Sequence, residues 1–238
     1  MDYKNHIEHY KKDAEFFDYF PHTAVSEQEM IRRYQEYSHL YKIKRNDKIL
    51  EIGSGAGYSA KIFDISIAHY FPFDISTYNL RKIKEGLSSE IFPVSGDVYK
   101  MPFTDGSFNL ILLAEVLEHL GDTQMALTEI RRILKSGGSL IVSVPYKEII
   151  SYQMCIHCSR PTPTNAHLHS FDEDKLNGLL NAAGFTVTKK AKCLNKVSNR
   201  FRWNLLTKKL PFVIWNIFDT IFNRIIDKPT SLIMMAEK

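Results

Sequence analysis

The segment DKILEIGSGAGYSAKIF, residues 47–63, contains the pattern from which the fold class can be predicted. Its first part is a short apolar run with the length of a buried strand, and its last part has the pattern of a helix start. Between them Gly53, Gly55 and Gly57 form a G-x-G-x-G turn. Glycine lets the backbone turn tightly and lets a ligand approach without a Cβ in the way. Such a turn is weak evidence alone, but its place between a strand and a helix indicates a ligand-binding turn.

Strand-like and helical segments alternate after this turn. The predicted helices are 58–66, 76–87 and 122–135, and the predicted strands are 69–74, 91–95, 108–114, 139–144, 185–194 and 230–238. Short apolar strands that alternate with helices favour a parallel sheet covered on both faces. We therefore predict an α/β fold, a Rossmann-like doubly wound domain over residues 45–238.

Helical segments also flank the predicted sheet. Residues 4–43 have a helical pattern, with Ser26 and Glu29 spaced as a capping box, and we assign residues 1–44 to an N-terminal helical cap. Ser170 and Glu173 have the same spacing and predict the start of a later helix that stops at Gly184.

The composition is that of an ordinary globular protein. A net charge of +4 over 238 residues is too small to indicate nucleic-acid binding. Three cysteines cannot build a disulfide framework, and their number fits a reducing compartment. The charged N-terminus has no apolar signal-peptide core, and no apolar run has the length of a membrane span. We expect a cytoplasmic protein.

Asp74 ends the second predicted strand, 21 residues after Gly53. A carboxylate at this distance can accept both hydroxyl groups of a ribose, although it could instead cap the helix that follows. The turn departs from the dinucleotide form G-x-G-x-x-G, because Gly57 comes one residue early and Tyr58 occupies the place of the last glycine. The spacing therefore favours a single nucleoside and disfavours a Rossmann-type oxidoreductase.

Four motifs in this order resemble those of class I S-adenosylmethionine-dependent methyltransferases. They are ILEIGSGAG (49–57), FPFDIS (71–76), SGDVYKMPFTDGSFNLILLAEVLEHLGD (95–122) and LKSGGSLIVSVP (134–145), and the match covers residues 45–146. The resemblance implies a seven-stranded sheet whose last strand is antiparallel. One departure is Pro72, which cannot donate to a strand ladder, so the second strand is expected to be irregular.

The resemblance also implies which residues bind the cofactor, S-adenosylmethionine. Glu51 and the three glycines line its methionine end, Asp74 holds the ribose, Asp97 and Val98 recognise the adenine, and Glu115 lies near the transferred methyl. The complete predicted cofactor set is Glu51, Gly53, Ser54, Gly55, Gly57, Asp74, Ile75, Asp97, Val98 and Glu115.

Methyl transfer from a sulfonium is an in-line displacement, so the protein mainly aligns the two reactants and excludes water. His119 and Glu115 are the candidate catalytic residues, with His119 also suited to a structural role. The chain has LAEV after its fourth predicted strand, where enzymes that methylate amino groups often have an Asn/Asp-Pro-Pro-Tyr turn. This favours a small-molecule, sugar or lipid-linked acceptor. A non-catalytic cofactor-binding scaffold is the alternative.

The connection over residues 147–171 contains a group of cysteines and histidines. Cys155 and Cys158 have the C-x2-C spacing of a zinc knuckle, and His167 and His169 point the same way in an extended segment. These four residues predict a tetrahedral, structural zinc site beside the acceptor pocket. The alternatives are pocket histidines without a metal, or no functional role.

A long insertion, residues 196–229, precedes the last predicted strand. It contains an apolar stripe at helical spacing: Ile214, Ile217, Phe218, Ile221, Phe222, Ile225 and Ile226. The acid-free stretch 189–210 contains eight basic residues: Lys189, Lys190, Lys192, Lys196, Arg200, Arg202, Lys208 and Lys209. We expect the stripe to pack as a lid over the acceptor pocket or in a homodimer interface. A peripheral membrane contact through residues 189–226 is the other interpretation.

Overall fold

The structure, a computed structural model, describes residues 6–16, 23–87, 90–156 and 159–238. Seven strands form one sheet: β1 (Lys48–Ile52), β2 (His69–Asp74), β3 (Val94–Ser95), β4 (Phe108–Ala114), β5 (Leu134–Pro145), β8 (Thr186–Asn195) and β9 (Pro229–Glu237). Their order is β3-β2-β1-β4-β5-β9-β8, and β9 is antiparallel to both of its neighbours. Strands β6 (Tyr152–Met154) and β7 (Pro161–Pro163) form a separate hairpin. The predicted seven-stranded sheet with an antiparallel last strand is confirmed.

Helices cover both faces of this sheet. They are α1 (His6–Phe16), α2 (Ala24–Leu40), α3 (Tyr58–Ile62), α4 (Thr77–Gly86), α5 (Thr123–Ile133), α6 (Glu173–Ala182), α7 (Lys196–Arg200), α8 (Trp203–Leu206) and α9 (Phe212–Ile225), with 3-10 turns at Ile65–Ile67 and Leu117–His119. Because each face of the sheet is covered, most residues of the central strands β1 and β4 are buried, and β4 is apolar except for Asn109. No helix in these described ranges is both long and apolar enough to cross a bilayer.

Both predicted capping boxes are wrong in position. Thr23, not Ser26, caps α2, because its Oγ1 accepts from the Ser26 backbone N–H at 3.1 Å while Ser26 completes the box. Asp172, not Ser170, caps α6, since its Oδ1 accepts from the Lys175 N–H at 2.9 Å. In each case a better-placed side-chain oxygen reaches the free N–H of the first turn.

The edge of the sheet beside β2 differs from the prediction. Strand β2 pairs continuously with β1 despite Pro72, so β2 itself is regular. The irregularity falls on β3, which has two residues instead of the predicted 91–95 and pairs with β2 only at Val94 and Ser95. The Phe92 N–H still donates to the Tyr70 carbonyl at 2.9 Å, but Pro72 and Pro93 both lack an N–H, so the ladder is interrupted before it resumes at Val94 and Ser95.

The predicted lid interpretation of α9 is wrong within this chain, because the helix is turned the other way. Its buried residues are Trp215, Asp219 and Asn223, which recur every four positions and face β8 and α2. Five residues of its apolar stripe are 45–76% exposed: Ile214, Ile217, Phe218, Ile221 and Ile225. A helix normally buries its apolar face, but none of the described residues covers this stripe.

Buried polar contacts fix this inverted orientation. Asp219 Oδ2 accepts from the Leu194 N–H at 2.9 Å, and Asn223 Oδ1 accepts from Asn195 Nδ2 at 2.7 Å. The Arg32 guanidinium of α2 lies 4.9 Å from the Trp215 ring centroid and donates to the Thr207 carbonyl at 2.7 Å. Satisfied polar groups in a buried site favour one arrangement over others. Rotation of the helix to bury its apolar stripe would break these hydrogen bonds and would cost free energy.

Glu36 of α2 lies in the same buried layer and makes stability pH-dependent. Burial, followed by the nearby Asp219 carboxylate, raises the pKa of Glu36 to about 7. A raised folded-state pKa adds stability that is complete below the unfolded value and is lost as the pH rises through 7. Glu36→Gln should therefore stabilise the protein by about 2 kcal/mol at pH 8 and change little at pH 5. Urea unfolding at both pH values measures this, with the exposed Glu85→Gln as control. Equal effects of Glu36→Gln at both pH values would contradict it.

Candidate active site

The glycine turn joins β1 to α3 at the carboxyl end of the sheet. Gly53, Gly55 and Gly57 all have positive φ, at 68°, 46° and 66°, a region that glycine adopts freely. A Cβ on Gly53 would lie 2.4 Å from Val116 Cγ2, and one on Gly57 would lie 2.9 Å from Ile83 Cγ2. A Cβ on Gly55 would meet nothing closer than the Gly53 carbonyl at 3.9 Å. Two of the glycines are required by packing, whereas Gly55 borders open space.

Asp74, at the carboxyl end of β2, is tied to this turn. Its Oδ2 accepts from the Gly55 N–H at 3.3 Å, and its Oδ1 accepts from the Ser76 N–H at 2.8 Å. The cap of α4 is Ser76, whose Oγ accepts from the Asn79 N–H, so the alternative role of Asp74 as helix cap is wrong. Burial raises the pKa of Asp74 above its usual value, against the effect of these hydrogen bonds.

Glu51 lies fully buried beneath the glycine turn. Its carboxylate accepts a hydrogen bond from Tyr34 of α2 at 2.7 Å and another from Tyr70 of β2. Burial raises the pKa of Glu51 to about 7, although these tyrosine hydroxyls act in the opposite direction. Both carboxylate oxygens thus bind the protein itself, which fixes the end of β1. The role of Glu51 toward a cofactor stays a prediction.

The remaining residues predicted for the cofactor lie at the ends of β1, β2 and β3. Ser54 is buried, and its hydroxyl has no hydrogen-bond partner among the described residues. Ser95 Oγ donates to the Ile75 carbonyl at 3.4 Å, which joins the segments after β2 and β3. Asp97 Oδ1 accepts from the Tyr99 N–H at 3.1 Å, and Val98 packs against the core. These residues follow neighbouring strands, so they share the carboxyl edge of the sheet with Gly55 and Asp74.

Glu115 follows β4 with a φ of 54°. A non-glycine residue in this region is strained, and such strain tends to occur at functional sites. Ser143 of β5 donates to Glu115 Oε1 at 2.8 Å, and its hydroxyl also contacts the Tyr37 hydroxyl at 2.6 Å. Arg33 of α2 lies 3.8 Å from the same oxygen. Burial alone would lower the pKa of Arg33, but the Glu115 carboxylate and other neighbours raise it, so Arg33 stays charged.

His119 and Glu118 occupy the 3-10 turn that follows β4. Glu118 is 1% exposed, and neither of its carboxylate oxygens has a hydrogen-bond partner in the described part of the chain. Burial and the Glu115 carboxylate raise the pKa of Glu118 well above its usual value. Burial and the nearby His167 lower the pKa of His119 to about 4, so its imidazole is neutral at pH 7. Sequence reasoning proposed His119 but missed Glu118.

The predicted zinc ligands do not form one group within the described residues. Cys158 lies outside those residues, so the prediction as a whole is not tested. Cys155 is partly exposed and lies in the connection between the hairpin strands β6 (Tyr152–Met154) and β7 (Pro161–Pro163). His167 Nδ1 contacts the Glu148 carboxylate, whereas His169 Nε2 lies 2.8 Å from the Leu120 carbonyl.

Comparison with known proteins identifies the fold. The family model described as a methyltransferase domain matches residues 25–190, more than half of the chain. The chain belongs to this family. The match begins in α2 and ends in β8, so it includes every residue of the predicted cofactor set. The resemblance to S-adenosylmethionine-dependent methyltransferases that the four motifs indicated is thereby confirmed.

Individual members of the family cover the chain in part. Sterol 24-C-methyltransferase ERG6B of Gibberella zeae is 36% identical over 115 residues, which are 45% of this chain and 30% of that protein. Demethylmenaquinone methyltransferase of Corynebacterium kroppenstedtii is 31% identical over 134 residues, 55% of this chain and 57% of that protein. The chain thus spans less than two thirds of either relative.

A solved structure agrees with the sheet described above. Phosphoethanolamine N-methyltransferase 2 of Haemonchus contortus, in complex with S-adenosyl-L-methionine, superposes with a TM-score of 0.64. The two chains are 15% identical, and the superposition covers 96% of this chain and 60% of the other. At this identity the likeness establishes the fold alone.

Proposed function

We propose that the chain is an S-adenosylmethionine-dependent methyltransferase that acts on a small or lipid-linked acceptor. The observation that carries the proposal is the open side of Gly55 next to the Asp74 carboxylate, in a member of the methyltransferase-domain family. A glycine backbone lets a ligand approach closely, and the buried carboxylate beside it can accept hydrogen bonds. Both features suit a nucleoside, because its ribose has two hydroxyl groups that can donate. When bound, the cofactor supplies the activated methyl group.

The residues of the chain would bind the cofactor and orient it. Asp74 would hold the ribose, Asp97, Val98 and Ile75 would border the adenine, and Ser54 with the three glycines would follow the methionine end. Glu115 places a carboxylate at the end of β4, where Ser143 and Arg33 fix it. A positioned carboxylate favours the positive charge of a sulfonium in a partly buried site.

Two residues are candidates for proton transfer from the acceptor. His119 is neutral at pH 7, so its imidazole can accept a proton and does not repel a cationic methyl donor. Glu115 is the second candidate, because its carboxylate lies at the carboxyl edge of the sheet. A base is needed only when the acceptor loses a proton in or before the transition state, so the roles of both residues depend on the acceptor.

An apolar, membrane-borne acceptor has the best support. Two relatives are named for a sterol and for demethylmenaquinone, both of which are apolar molecules. The exposed stripe of α9 adds an independent argument, because an apolar helix face beside basic residues suits an anionic lipid surface. Arg200, Arg202, Lys208 and Lys209 precede the helix and are exposed. We infer that the insertion 196–229 holds the enzyme at the membrane where its acceptor resides.

The alternative is a non-catalytic scaffold that keeps the cofactor site. Incubation of the purified chain with methyl-labelled S-adenosylmethionine and a lipid extract separates the two. Label in an extracted lipid, lost when Glu115→Gln replaces the wild type, supports the enzyme. Cofactor binding without turnover on any lipid or small-molecule fraction supports the scaffold.

Gly55→Ala tests the cofactor site with little effect on the fold. Its Cβ meets only the Gly53 carbonyl oxygen, at an ordinary contact distance of 3.9 Å, so only the cost of a positive φ remains, roughly 1–2 kcal/mol. Gly137, with a φ of 70° and no atom within 4 Å of a Cβ, has the same constraint away from the turn. Gly55→Ala and Gly137→Ala should lower the melting temperature similarly, but only Gly55→Ala should weaken cofactor binding, by about 10-fold or more. Equal cofactor affinity in the two variants would place the ligand elsewhere.

A further inference from the structure

A group of metal-binding side chains lies apart from the cysteines that first suggested a metal. Glu118, His119 and His167 each bring one oxygen or nitrogen atom into a group in which all three atoms lie within 4.8 Å of one another. Glu118 and His119 come from the 3-10 turn after β4, whereas His167 comes from the connection between β7 and α6. The fold thus brings together donors that are 48 residues apart in sequence.

Polar atoms on two of these three side chains are buried without a hydrogen-bond partner among the described residues. Glu118 is almost completely buried, and neither of its carboxylate oxygens accepts a hydrogen bond from any described residue. His119 Nδ1 is likewise buried without a hydrogen-bond partner in the described ranges, and His119 Nε2 is 4.0 Å from Glu118 Oε1. Buried polar atoms of folded proteins are nearly always satisfied, and a buried carboxyl group stays ionised only when a positive charge lies beside it.

The surrounding contacts hold the group in place. The Leu168 N–H donates to the Glu118 carbonyl at 2.8 Å and the His169 N–H at 3.3 Å, which joins the two segments that supply the donors. Glu148 contacts His167 Nδ1 and so fixes the orientation of that ring. Carboxylates play this orienting role for metal-bound histidines. The imidazoles of His119 and His167 are in edge-to-face contact, with ring centroids 4.6 Å apart, so each ring limits the movement of the other.

We propose that Glu118, His119 and His167 bind a divalent transition-metal ion, Zn²⁺ or Mn²⁺. Two imidazoles and a carboxylate favour such ions over Mg²⁺ or Ca²⁺, which prefer oxygen ligands. Three protein ligands leave at least one position open to water or to another ligand, unlike the closed set of four expected of a structural zinc.

The open coordination position is suited to bind the methyl acceptor, an inference that rests on the proposed function. Glu118 is three residues from Glu115, the residue proposed to face the methyl donor. With the ion bound, His119 is a ligand and not a base, and the ion itself is suited to bind an oxygen of the acceptor and to favour its deprotonated form. Metal binding itself requires no methyl transfer, so a failure of the methyltransferase assay leaves the site testable.

Calorimetric titration of the full chain, first freed of metal by a chelator, measures the site with Zn²⁺ and with Mn²⁺ separately. We expect one equivalent of ion per chain. Glu118→Gln and His167→Gln should weaken binding at least about 100-fold, the upper end of the loss caused by removing a partner outside the ligand set. His169→Gln and Cys155→Ser are matched controls, because they change residues of the same connection that lie outside the group. Both should bind as the wild type does.

Two outcomes would overturn the proposal. If none of the chains binds either ion, the group is a buried cluster of polar residues and not a metal site. If Cys155→Ser loses the ion while Glu118→Gln keeps it, the ion belongs to the cysteines. Glu118→Gln keeps the shape of the side chain and removes a buried, unpaired carboxylate, so the variant should fold, and its circular dichroism verifies this. Titration with Co²⁺ gives a second measure, since thiolate ligation produces a charge-transfer band that a histidine and carboxylate site lacks.

Discussion

Replacing Ile217 and Phe218 together by glutamate should abolish binding of the protein to vesicles that contain anionic lipid. The two side chains are 55% and 52% exposed on the outward face of α9, so they are free to enter the interface between lipid head groups and acyl chains. Burial of a side chain of this size contributes about 1.5–3 kcal/mol when complete. Loss of both, with two negative charges added, should weaken partitioning by at least about 100-fold.

Vesicle flotation at low and high salt measures this effect. A second double variant, Tyr78→Glu with Met125→Glu, carries the same charge change at exposed apolar residues of α4 and α5 and should bind as the wild type does. Binding should fall with added salt, because the basic residues before α9 contribute through screened charges. Wild-type protein that stays with the soluble fraction and doubles in mass on light scattering would instead make the stripe a homodimer interface.

Asp74→Ala should lower the affinity for S-adenosylhomocysteine, the demethylated cofactor, by about 100- to 1,000-fold. Removal of a carboxylate that accepts from two ribose hydroxyls removes two charge-assisted hydrogen bonds, each contributing about 1.5–3 kcal/mol, and the lower half of their combined contribution corresponds to this loss of affinity. The variant also removes the acceptor that holds the Gly55 N–H, so the glycine turn loses one of its supports. Asp74→Asn keeps one oxygen for these N–H groups, so its affinity for S-adenosylhomocysteine should lie between those of Asp74→Ala and the wild type.

Asp64→Ala provides the matched control for this prediction. Asp64 caps the 3-10 turn after α3 through the Ser66 N–H and is exposed, so its loss costs a helix cap without touching the turn. The melting temperatures of the unliganded variants report the structural cost of each change. An affinity for S-adenosylhomocysteine that is the same in Asp74→Ala and Asp64→Ala would contradict the assignment of Asp74 to the ribose.

The sequence predicts the central sheet well, because buried parallel strands have a local pattern of their own. Strand 108–114 is found at its predicted limits, and the glycine turn lies between β1 and α3 as expected. The errors arise where one contact decides a boundary. Thr23 and Asp172 replace the predicted caps because an oxygen a few residues away has the better geometry. Strand β3 is short because Pro72 and Pro93 lie on neighbouring segments. This proximity arises from the tertiary structure and cannot be predicted from a local sequence pattern.

The insertion shows a different limit. An apolar stripe in a sequence tells which face of a helix is apolar, and burial of that face is then the usual assumption. In α9 the polar contacts of Asp219 and Asn223 with β8 decide the orientation, and these partners are about 25–30 residues away in sequence. The one local signal was the acid-free basic stretch before the helix, which favoured the interfacial interpretation.

The group of Glu118, His119 and His167 could be predicted only in part. The C-x2-C spacing drew attention to Cys155 and Cys158, whereas His167 contacts Glu148 and His119, and no sequence spacing connects these residues. Arg33 likewise reaches Glu115 from α2, a helix assigned from the sequence to a separate cap. Contacts between distant segments form only when the sheet brings its carboxyl edge and the covering helices together.

Calorimetric titration of the wild-type chain with S-adenosylhomocysteine tests the central claim most directly, because it needs no knowledge of the acceptor. The proposed site predicts binding of one molecule per chain, with NADH and NADPH giving no heat since the turn lacks the dinucleotide spacing. Absence of S-adenosylhomocysteine binding by folded protein, or preferential binding of a dinucleotide, would contradict the proposed methyltransferase function.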